Sequence, residues 1–191
     1  MADGPVMYFD DDADLSVLAG KKIAIIGYGI QGEAQALCLR DSGLEVIVSE
    51  LPGTANYEKA IKDGWEVKDA ATAAKEADLI QILTEDHAQA RVYKTFIEPN
   101  LEEGNALIFS HGFNIHYGQI VPPKNVDVFM IAPKGPGALV RQCYIADTGV
   151  PSLVAIYQDY TGNALKLALA YGKGLKASKA GILQTTFKEE T

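Results

Sequence analysis

The sequence predicts an α/β fold with a doubly wound, mostly parallel sheet and helices on both of its faces. The first observation is a run of four apolar residues, 23–26, which is too short for a helix and suits a strand buried on both sides. The second is the glycine-rich turn that follows it and leads into a helical pattern, which stops at Gly43 before a second apolar strand at 46–48. The third is that strands and helical patterns alternate to the end of the chain.

The turn after the first strand has the pattern G-x-G-x-x-G, formed by Gly27, Gly29 and Gly32. In this motif Gly27 allows the tight turn, Gly29 lets the backbone approach a pyrophosphate, and Gly32 lets the helix pack closely on the strand. The N–H groups and the positive dipole end of the helix then hold the phosphates. Glu50, which closes the second strand, has the spacing of a carboxylate that binds ribose hydroxyls. This context favours a Rossmann-type dinucleotide site over a glycine turn that binds nothing.

The middle of the chain continues the alternation. A turn at 51–54 precedes a short helix at 57–63, a brief strand at 65–67 and a helix that Asp69 caps and that runs through Ala77. Residues 79–83 are predicted to form a buried strand, and Asp86 to cap a helix at 87–96. Ligands of open parallel sheets gather at the carboxyl ends of the strands, so Asp86 is also placed where it could contact a cofactor. Both roles of Asp86 stay open.

Two later strands end in residues that can carry chemistry. Residues 105–110 lead to His111, and residues 126–132 lead to a rigid Pro- and Gly-rich loop that contains Lys134 and Gly137. A histidine just past a strand end lies where catalytic groups usually lie, and a histidine bonded to loop backbone is the alternative. Lys134, taken alone, is more simply an exposed lysine. A strand at 152–157, an amphipathic helix at 163–174 and a last strand at 180–186 complete the predicted elements.

Length and composition predict one domain with a small appendage. The 191 residues, of which 48% are hydrophobic, suffice for a sizeable core. Residues 1–20 are predicted to be an N-terminal arm, and residues 21–191 to be the dinucleotide-binding domain. The arm contains Asp10, Asp11 and Asp12, which are predicted to lie in a solvated loop rather than to bind a cation. No metal-ligand set is predicted anywhere in the sequence.

Charge and cysteine content argue against several classes of protein. The net charge of −8 and the lack of a Lys/Arg cluster argue against a nucleic-acid partner. No apolar run approaches the ~18–20 residues that span a membrane. Cys38 and Cys143 match no metal spacing, and a structural thiol is the better interpretation of Cys38. With no signal pattern at the N-terminus, these features predict a reducing compartment, either the cytoplasm or an organelle stroma.

Longer strings resemble ketol-acid reductoisomerase, an enzyme of branched-chain amino-acid biosynthesis. They include GYGIQG (27–32), ARVY (90–93), SHGFNIHYGQ (110–119), APKGPG (132–137) and TTFKEET (185–191). The resemblance implies isomerisation of 2-acetolactate or 2-aceto-2-hydroxybutyrate, then reduction with a nicotinamide cofactor and Mg²⁺ to 2,3-dihydroxy-3-methyl acids. It implies that His111 and Lys134 are active-site residues. The cofactor-contacting positions that it implies are Tyr28, Gly29, Ile30, Gln31, Asp86, His87, Ala88, Gln89 and Gly137.

Two departures from the family pattern concern the glycine turn and the metal. Ile30 stands where the family usually has a serine, so a hydroxyl that can bond the pyrophosphate is missing. The sequence also stops at Thr191, before the helical domain that in the family supplies the carboxylates for two Mg²⁺ ions and most oligomer contacts. The resemblance therefore implies that this polypeptide is the cofactor-binding half of the enzyme, inactive alone and able to bind substrate only with the missing domain.

A third departure concerns the choice of cofactor. After the second strand, the family usually carries an arginine and serines that bind the 2′-phosphate of NADPH. The corresponding positions here are Leu51, Pro52 and Thr54, and the loop that follows Glu50 contains no lysine or arginine. The sequence therefore predicts that NADH is preferred over NADPH. Thr54 and Asn56 keep the capacity to hydrogen-bond a phosphate.

Two other classes of function remain as alternatives. The first is a small stand-alone NAD(P)-dependent reductase, in which Lys134 polarises a carbonyl and His111 transfers a proton without metal. The second is a non-enzymatic NAD(H)-binding module such as a redox-sensing regulator. That class needs a DNA-reading or partner-facing segment, and no basic helix is visible in the sequence.

Overall fold

One nine-stranded sheet runs through the computed structural model, which describes residues 4–191. The strands are β1 (Met7–Tyr8), β2 (Lys22–Ile26), β3 (Glu45–Ser49), β4 (Val67–Lys68), β5 (Leu79–Ile82), β6 (Ala106–Phe109), β7 (Asp127–Pro133), β8 (Ser152–Gln158) and β9 (Ile182–Gln184). Across the sheet they follow the order β1-β9-β8-β7-β6-β5-β2-β3-β4. Neighbouring strands are parallel except in the pairs β7–β8 and β1–β9. The predicted doubly wound, mostly parallel fold is confirmed.

Helices cover both faces of the sheet. They are α1 (Ile30–Asp41), α2 (Ala55–Lys62), α3 (Ala70–Glu76), α4 (Asp86–Val92), α5 (Phe113–His116), α6 (Gly137–Ile145), α7 (Ala164–Gly174), α8 (Ala177–Ala180) and α9 (Phe187–Glu190). Short 3₁₀ turns lie at Asp10–Asp12, Leu15–Leu18 and Glu98–Asn100, and a π-helical segment, Tyr93–Ile97, continues α4. None of the helices within residues 4–191 combines the length and the apolar character that crossing a membrane requires.

The core has two layers, and the alternation of side chains along β2 shows how they arise. Ile23 and Ile25 pack on one face of the sheet, where α1 and α7 contribute Leu39 and other buried side chains. Ala24 and Ile26 pack on the opposite face, beneath α3 and the π-helical segment. All four of these β2 residues are buried. A strand covered on both faces requires apolar residues at consecutive positions, which is the pattern that the sequence shows.

The N-terminal segment is tied to the domain within the described residues. Met7 and Tyr8 pair with Leu183 and Ile182 as an antiparallel edge strand, and the Tyr8 hydroxyl donates to Gln184 Oε1 at 2.8 Å. The predicted arm therefore contributes β1 to the sheet, and its first three residues lie outside the described residues. The loop predicted after β7 is also shorter than expected, since α6 begins at Gly137.

The two predicted helix caps have different outcomes. Asp69 caps α3 as predicted, because its side chain accepts a hydrogen bond from the Thr72 N–H. The prediction that Asp86 caps the next helix is wrong. Glu85 occupies the N-cap position of α4, and Asp86 is the first helical residue. Asp86 therefore belongs to the first turn of α4 and does not cap it.

Candidate active site and cofactor site

The carboxyl ends of β2, β5, β6 and β7 lie next to one another at one edge of the sheet. The chain order reverses between β2 and β5, which is where open α/β sheets bind their ligands. The loops at this edge are joined by hydrogen bonds. Gln31 Nε2 donates to the Gly135 carbonyl at 2.9 Å, and Asn114 Nδ2 donates to the Asp86 carbonyl at 3.0 Å. The glycine turn, the β5 loop (83–89, with the first turn of α4), the β6 loop (110–116, with α5) and the Lys134 loop (134–136) thus form one site.

The glycines of the turn have separate structural roles. Gly27 has a φ of +101°, and a Cβ there would lie 2.8 Å from the backbone nitrogen of Thr84. A Cβ on Gly32 would lie 1.9 Å from the Gly27 carbonyl oxygen, so only glycine lets α1 approach β2 this closely. Gly29 differs, since its φ is −72° and a Cβ would meet open space. Gly29 therefore needs no φ that is costly for other residues, and the space in front of it is open to a phosphate.

The start of α1 offers hydrogen-bond donors to that space. Gly29 is the N-cap residue and supplies no side-chain cap. The N–H groups of a first turn lack partners within their own helix, and the positive end of the helix dipole lies there. The Ile30 side chain, which replaces a hydroxyl of the family pattern, is 73% exposed. Backbone groups of α1 are therefore the donors that this turn presents to a pyrophosphate.

Glu50 holds the glycine turn from the end of β3. One oxygen of its carboxylate, Oε2, accepts the Tyr28 N–H at 2.7 Å, and the other, Oε1, accepts the Leu51 N–H at 2.8 Å. A carboxylate oxygen can accept a second hydrogen bond, so both oxygens keep capacity for ribose hydroxyls. The structure thus places Glu50 beside the turn, and its binding of ribose hydroxyls stays a prediction.

Tyr28 contributes to the site through its backbone. Its side chain is buried, and its hydroxyl donates to Asp63 Oδ2 at 2.9 Å and accepts from Trp65 Nε1 at 2.8 Å. Burial is the largest cause that raises the pKa of this phenol well above its usual value. The Tyr28 ring therefore ties the glycine turn to Asp63 at the end of α2 and to Trp65, which precedes β4. It does not face the open space in front of Gly29.

The loop between β3 and α2 is exposed and carries no cation. Leu51 is 69% exposed, and Pro52 and Asn56 are exposed as well. The Thr54 hydroxyl donates to the Leu51 carbonyl, accepts the Tyr57 N–H and so caps α2. A hydroxyl with both of these bonds has little capacity left for a phosphate. Thr54 and Asn56 are the two polar residues here that the sequence left able to hydrogen-bond a phosphate. Of these two, Asn56 has no capping role.

The residues 86–89 of the β5 loop divide into two groups. Asp86 and His87 are exposed, and Ala88 is half-buried. Gln89 is buried, donates to the Thr84 carbonyl at 3.0 Å and accepts from Asn114 at 3.0 Å. Gln89 therefore joins the β5 and β6 loops, whereas Asp86 and His87 keep exposed side chains that can face a ligand.

Three side chains from distant parts of the chain meet at the carboxyl ends of β6 and β7. Glu190 Oε2 lies 2.9 Å from His111 Nδ1 and accepts the Gly112 N–H at 2.7 Å. Glu190 Oε1 accepts from Lys134 Nζ at 2.7 Å. The remaining ring nitrogen, His111 Nε2, faces Asp86 Oδ2 at 3.7 Å. The two predicted catalytic residues, His111 and Lys134, are thus held by one carboxylate that the site prediction missed.

Glu190 is charged in this arrangement. Burial raises the pKa of its carboxyl, but the hydrogen bonds from Lys134, Gly112 and His111 lower that pKa further, and the net result lies below its usual value. A carboxylate on Nδ1 makes that nitrogen the donor, so the neutral His111 ring has its acceptor lone pair on Nε2. The only sequence signal for Glu190 was its place in the string TTFKEET.

Gly137 lies at the junction of two helices. A Cβ there would stand 2.0 Å from the Ile30 carbonyl oxygen, so glycine is needed for α6 to start against α1. Lys134, three residues earlier, is fixed by its backbone, because its N–H donates to the Pro151 carbonyl at 2.9 Å. Gly137 therefore has a packing role that the sequence did not indicate, at the rim of the open space before Gly29.

The site residues do not form a metal centre. Within residues 4–191, no group of three or more His, Cys, Asp and Glu side chains is arranged to hold a metal ion. Glu190 already accepts three hydrogen bonds, and in the described part of the chain Asp86 is the one further carboxylate that faces His111. Octahedral Mg²⁺ requires several oxygen ligands together. The described residues therefore fit a dinucleotide but do not fit a Mg²⁺ ion.

Comparisons with known proteins show the family of this chain. The chain is similar to the NADH-preferring ketol-acid reductoisomerase from an uncultured archean, with 46% identity and a TM-score of 0.94 over 97% of this chain and 58% of that one. The chain therefore spans 58% of the length of that enzyme.

Two more distant proteins share the fold alone. They are a semialdehyde dehydrogenase NAD-binding protein from Cupriavidus necator (20% identity, TM-score 0.73, 89% of this chain and 64% of that chain) and pyrroline carboxylate reductase from Plasmodium falciparum (16% identity, TM-score 0.62, 89% of this chain and 59% of that chain). The family model of the acetohydroxy acid isomeroreductase NADPH-binding domain matches residues 17–181. The chain belongs to this family of ketol-acid reductoisomerase dinucleotide-binding domains.

Proposed function

We propose that the chain is the dinucleotide-binding part of an isomeroreductase that converts 2-acetolactate or 2-aceto-2-hydroxybutyrate into 2,3-dihydroxy-3-methyl acids. The observation that carries the proposal is the His111–Glu190–Lys134 cluster beside an open glycine turn. A hydride donor held by the turn and a carbonyl held by the cluster would lie at the same sheet edge. The family and the 46% identical reductoisomerase support this assignment.

The cluster suits the polar half of a carbonyl reduction. Lys134 gives one of its three N–H donors to Glu190, and its side chain is 44% exposed, so the others can reach a substrate oxygen. A cation there stabilises the negative charge that develops on that oxygen. His111, oriented by Glu190, presents Nε2 for proton transfer with a substrate hydroxyl. A bound nicotinamide supplies the hydride, and no step of this proposal depends on a metal held by these residues.

We further propose that NADH is preferred over NADPH. Glu50 is fixed beside the turn by two backbone N–H groups, and no lysine or arginine lies in the loop that follows it. A charge-assisted hydrogen bond from a ribose hydroxyl to Glu50 is worth about 1.5–3 kcal/mol. The name of the similar archean enzyme describes it as NADH-preferring, which supports the proposal, although the family model is described by NADPH.

The penalty against NADPH is electrostatic. A 2′-phosphate would carry a charge of about −1.5 to −2, by analogy with phosphorylated side chains. At ~4 Å from Glu50 and an effective dielectric near 20, repulsion is on the order of 4 kcal/mol per unit charge. The half-buried position of Glu50 and salt screening reduce this several-fold. A net preference of about 1–3 kcal/mol, or roughly 5- to 150-fold, is expected.

Parallel calorimetric titrations with NADH and NADPH test both proposals. The chain is expected to bind NADH more tightly, and Glu50→Gln is expected to weaken NADH binding and to narrow the gap between the two cofactors. Glu58→Gln, which removes the same charge from an exposed position in the first turn of α2, serves as the matched control and leaves the gap unchanged. Equal affinities for NADH and NADPH in the unsubstituted chain would contradict the proposed preference. If the chain binds neither cofactor, the proposed dinucleotide site is wrong.

A further inference from the structure

A buried cluster of polar side chains lies directly behind the site. Gln35 of α1, Gln81 of β5 and Tyr171 of α7 are each fully buried, and half-buried Ser110 follows β6. β5 otherwise contributes apolar side chains to the core, and burying an amide there costs free energy unless it is hydrogen-bonded. An apolar residue would fill the same space at no such cost. The presence of two amides at the centre of the core therefore needs a reason.

The hydrogen bonds of the cluster are directed and almost complete. The Tyr171 hydroxyl donates to Gln35 Oε1 at 2.8 Å, and Gln81 Nε2 donates to the same oxygen at 3.2 Å. Gln81 Nε2 also donates to Ser110 Oγ at 2.8 Å, and Gln35 Nε2 donates to that oxygen at 3.2 Å. Every N–H of the two amides thus finds an acceptor, because Gln35 Nε2 also donates to Gln31 Oε1 at 3.2 Å. Among the described residues, Gln81 Oε1 is the cluster's one side-chain atom without a partner.

The cluster ends at the three segments that form the site. Gln31, which receives the bond from Gln35, lies in the glycine turn and donates to the Gly135 carbonyl, next to Lys134. Ser110 directly precedes His111, and its hydroxyl donates to the Ile131 carbonyl at 2.8 Å. Ile131 belongs to β7, the strand that leads to Lys134. One hydroxyl therefore joins the strand before His111, the strand before Lys134 and the helix that starts at the glycine turn.

The geometry points to a positioning role: Gln35, Gln81 and Ser110 hold the glycine turn, His111 and the Lys134 loop in one fixed relation. A bound dinucleotide and the two polar groups then address one bound substrate together. This inference rests on the proposed function. Its physical basis is that a buried network in which every amide N–H has an acceptor favours one arrangement of its amides, whereas apolar packing admits small shifts. Reactions at such sites depend steeply on displacements of the reacting groups by about 1 Å.

The test deletes the shared hydroxyl with Ser110→Ala. The matched control is Ser152→Ala, which removes the same atom from a buried serine of β8. Among residues 4–191 its hydroxyl bonds only the Val150 carbonyl, outside the network. For each chain we would record the imidazole ¹⁵N NMR signals of His111, the dissociation constant for NADH and the free energy of unfolding. Ser110→Ala is expected to move the His111 signals and to raise the dissociation constant about three- to tenfold, the size typical of couplings through packed networks. Ser152→Ala is expected to change neither.

Two further variants keep the test decisive. Ser110→Thr retains the hydroxyl and is expected to restore the His111 signals. If Ser110→Ala does not fold, Tyr171→Phe removes a hydroxyl from the far end of the network and must still move those signals. The inference is overturned if the network variants and Ser152→Ala lower the free energy of unfolding alike and leave the His111 signals in place. If the unsubstituted chain binds no NADH, the proposed function fails separately, because the His111 signals still report on the network.

Discussion

At the scale of single residues, Glu190 decides how the two candidate catalytic side chains are held. Its oxygens accept hydrogen bonds from His111, Lys134 and the Gly112 N–H, and only 5% of its side chain is exposed. In Glu190→Gln, an amide N–H₂ group would face donors, and one or more of them would lose an acceptor. Such a loss costs about 1–3 kcal/mol. We therefore expect Glu190→Gln to lower the free energy of urea unfolding at pH 7 by this amount.

The pH dependence of this difference follows from the lowered pKa of Glu190. The folded state binds the proton less readily than the unfolded chain, so the ion pair stabilises the fold fully above the usual carboxyl pKa, 4.5. That stability is lost as the pH falls through the lowered pKa of the folded state. The difference between the two chains should hence shrink below about pH 4.5. Glu189→Gln, which alters an exposed neighbour, should show little effect at either pH, and a pH-independent Glu190→Gln difference would contradict this account.

Glu190 also shows what sequence reasoning could and could not find at this site. His111 and Lys134 directly follow predicted buried strands, so the carboxyl-edge rule placed them at the edge where ligands bind, and the family resemblance implied their active-site role. Glu190 lies in a four-residue helix after the last strand, and it is 79 residues from His111 and 56 from Lys134. Only the tertiary fold brings these positions together. The carboxylate could therefore not be predicted from local spacing.

At the scale of elements, the turn between β2 and α1 contains one glycine suited to binding and another that is needed for packing. A Cβ at Gly29 meets open space, whereas a Cβ at Gly32 meets the Gly27 carbonyl at 1.9 Å. Gly29→Val is therefore expected to leave the fold intact, with a loss of about 1 kcal/mol at most from the poorer N-cap residue, and to abolish detectable NADH binding by filling the phosphate space. Gly32→Ala is expected to lower the thermal unfolding midpoint strongly. Circular dichroism and an NADH titration of both variants make this check, and undiminished NADH affinity in Gly29→Val would refute a phosphate-binding turn.

Some strands and helices could be predicted from the sequence and others could not. Continuous apolar runs located β2, β3, β5, β6 and β7, because a strand buried on both faces leaves no other pattern. α6 was missed because its start, Pro136-Gly137, reads as a loop, and the reason for glycine there is contact with α1 rather than a turn. β1 has only two residues and is defined by its pairing with β9. Such features depend on partners far away in the sequence.

At the scale of the whole molecule, the sheet order gathers the site on one open edge. His111 and Lys134 have side chains 39% and 44% exposed, and Asp86 on the other side of His111 is 45% exposed. Electrostatic stabilisation of a reacting carbonyl is strongest where water is excluded, so an open cluster of this kind is a weak catalyst by itself. The dinucleotide site differs from this open cluster in that its parts are already held in place. The glycine turn, the start of α1 and Glu50 are all fixed by contacts within this chain.

We therefore expect the purified 191-residue chain to bind NADH and to show no Mg²⁺-dependent conversion of 2-acetolactate. Alkyl migration requires both substrate oxygens to be polarised, which is Lewis-acid work, and the described residues contain no cluster suited to the metal. NADH absorbance, followed with 2-acetolactate and Mg²⁺ and then with simple 2-keto acids without metal, separates the possibilities. Lys134→Met controls for background oxidation in both assays. Turnover of 2-acetolactate by this chain would refute the expectation, and metal-free reduction of a 2-keto acid that Lys134→Met abolishes would establish a stand-alone reductase instead.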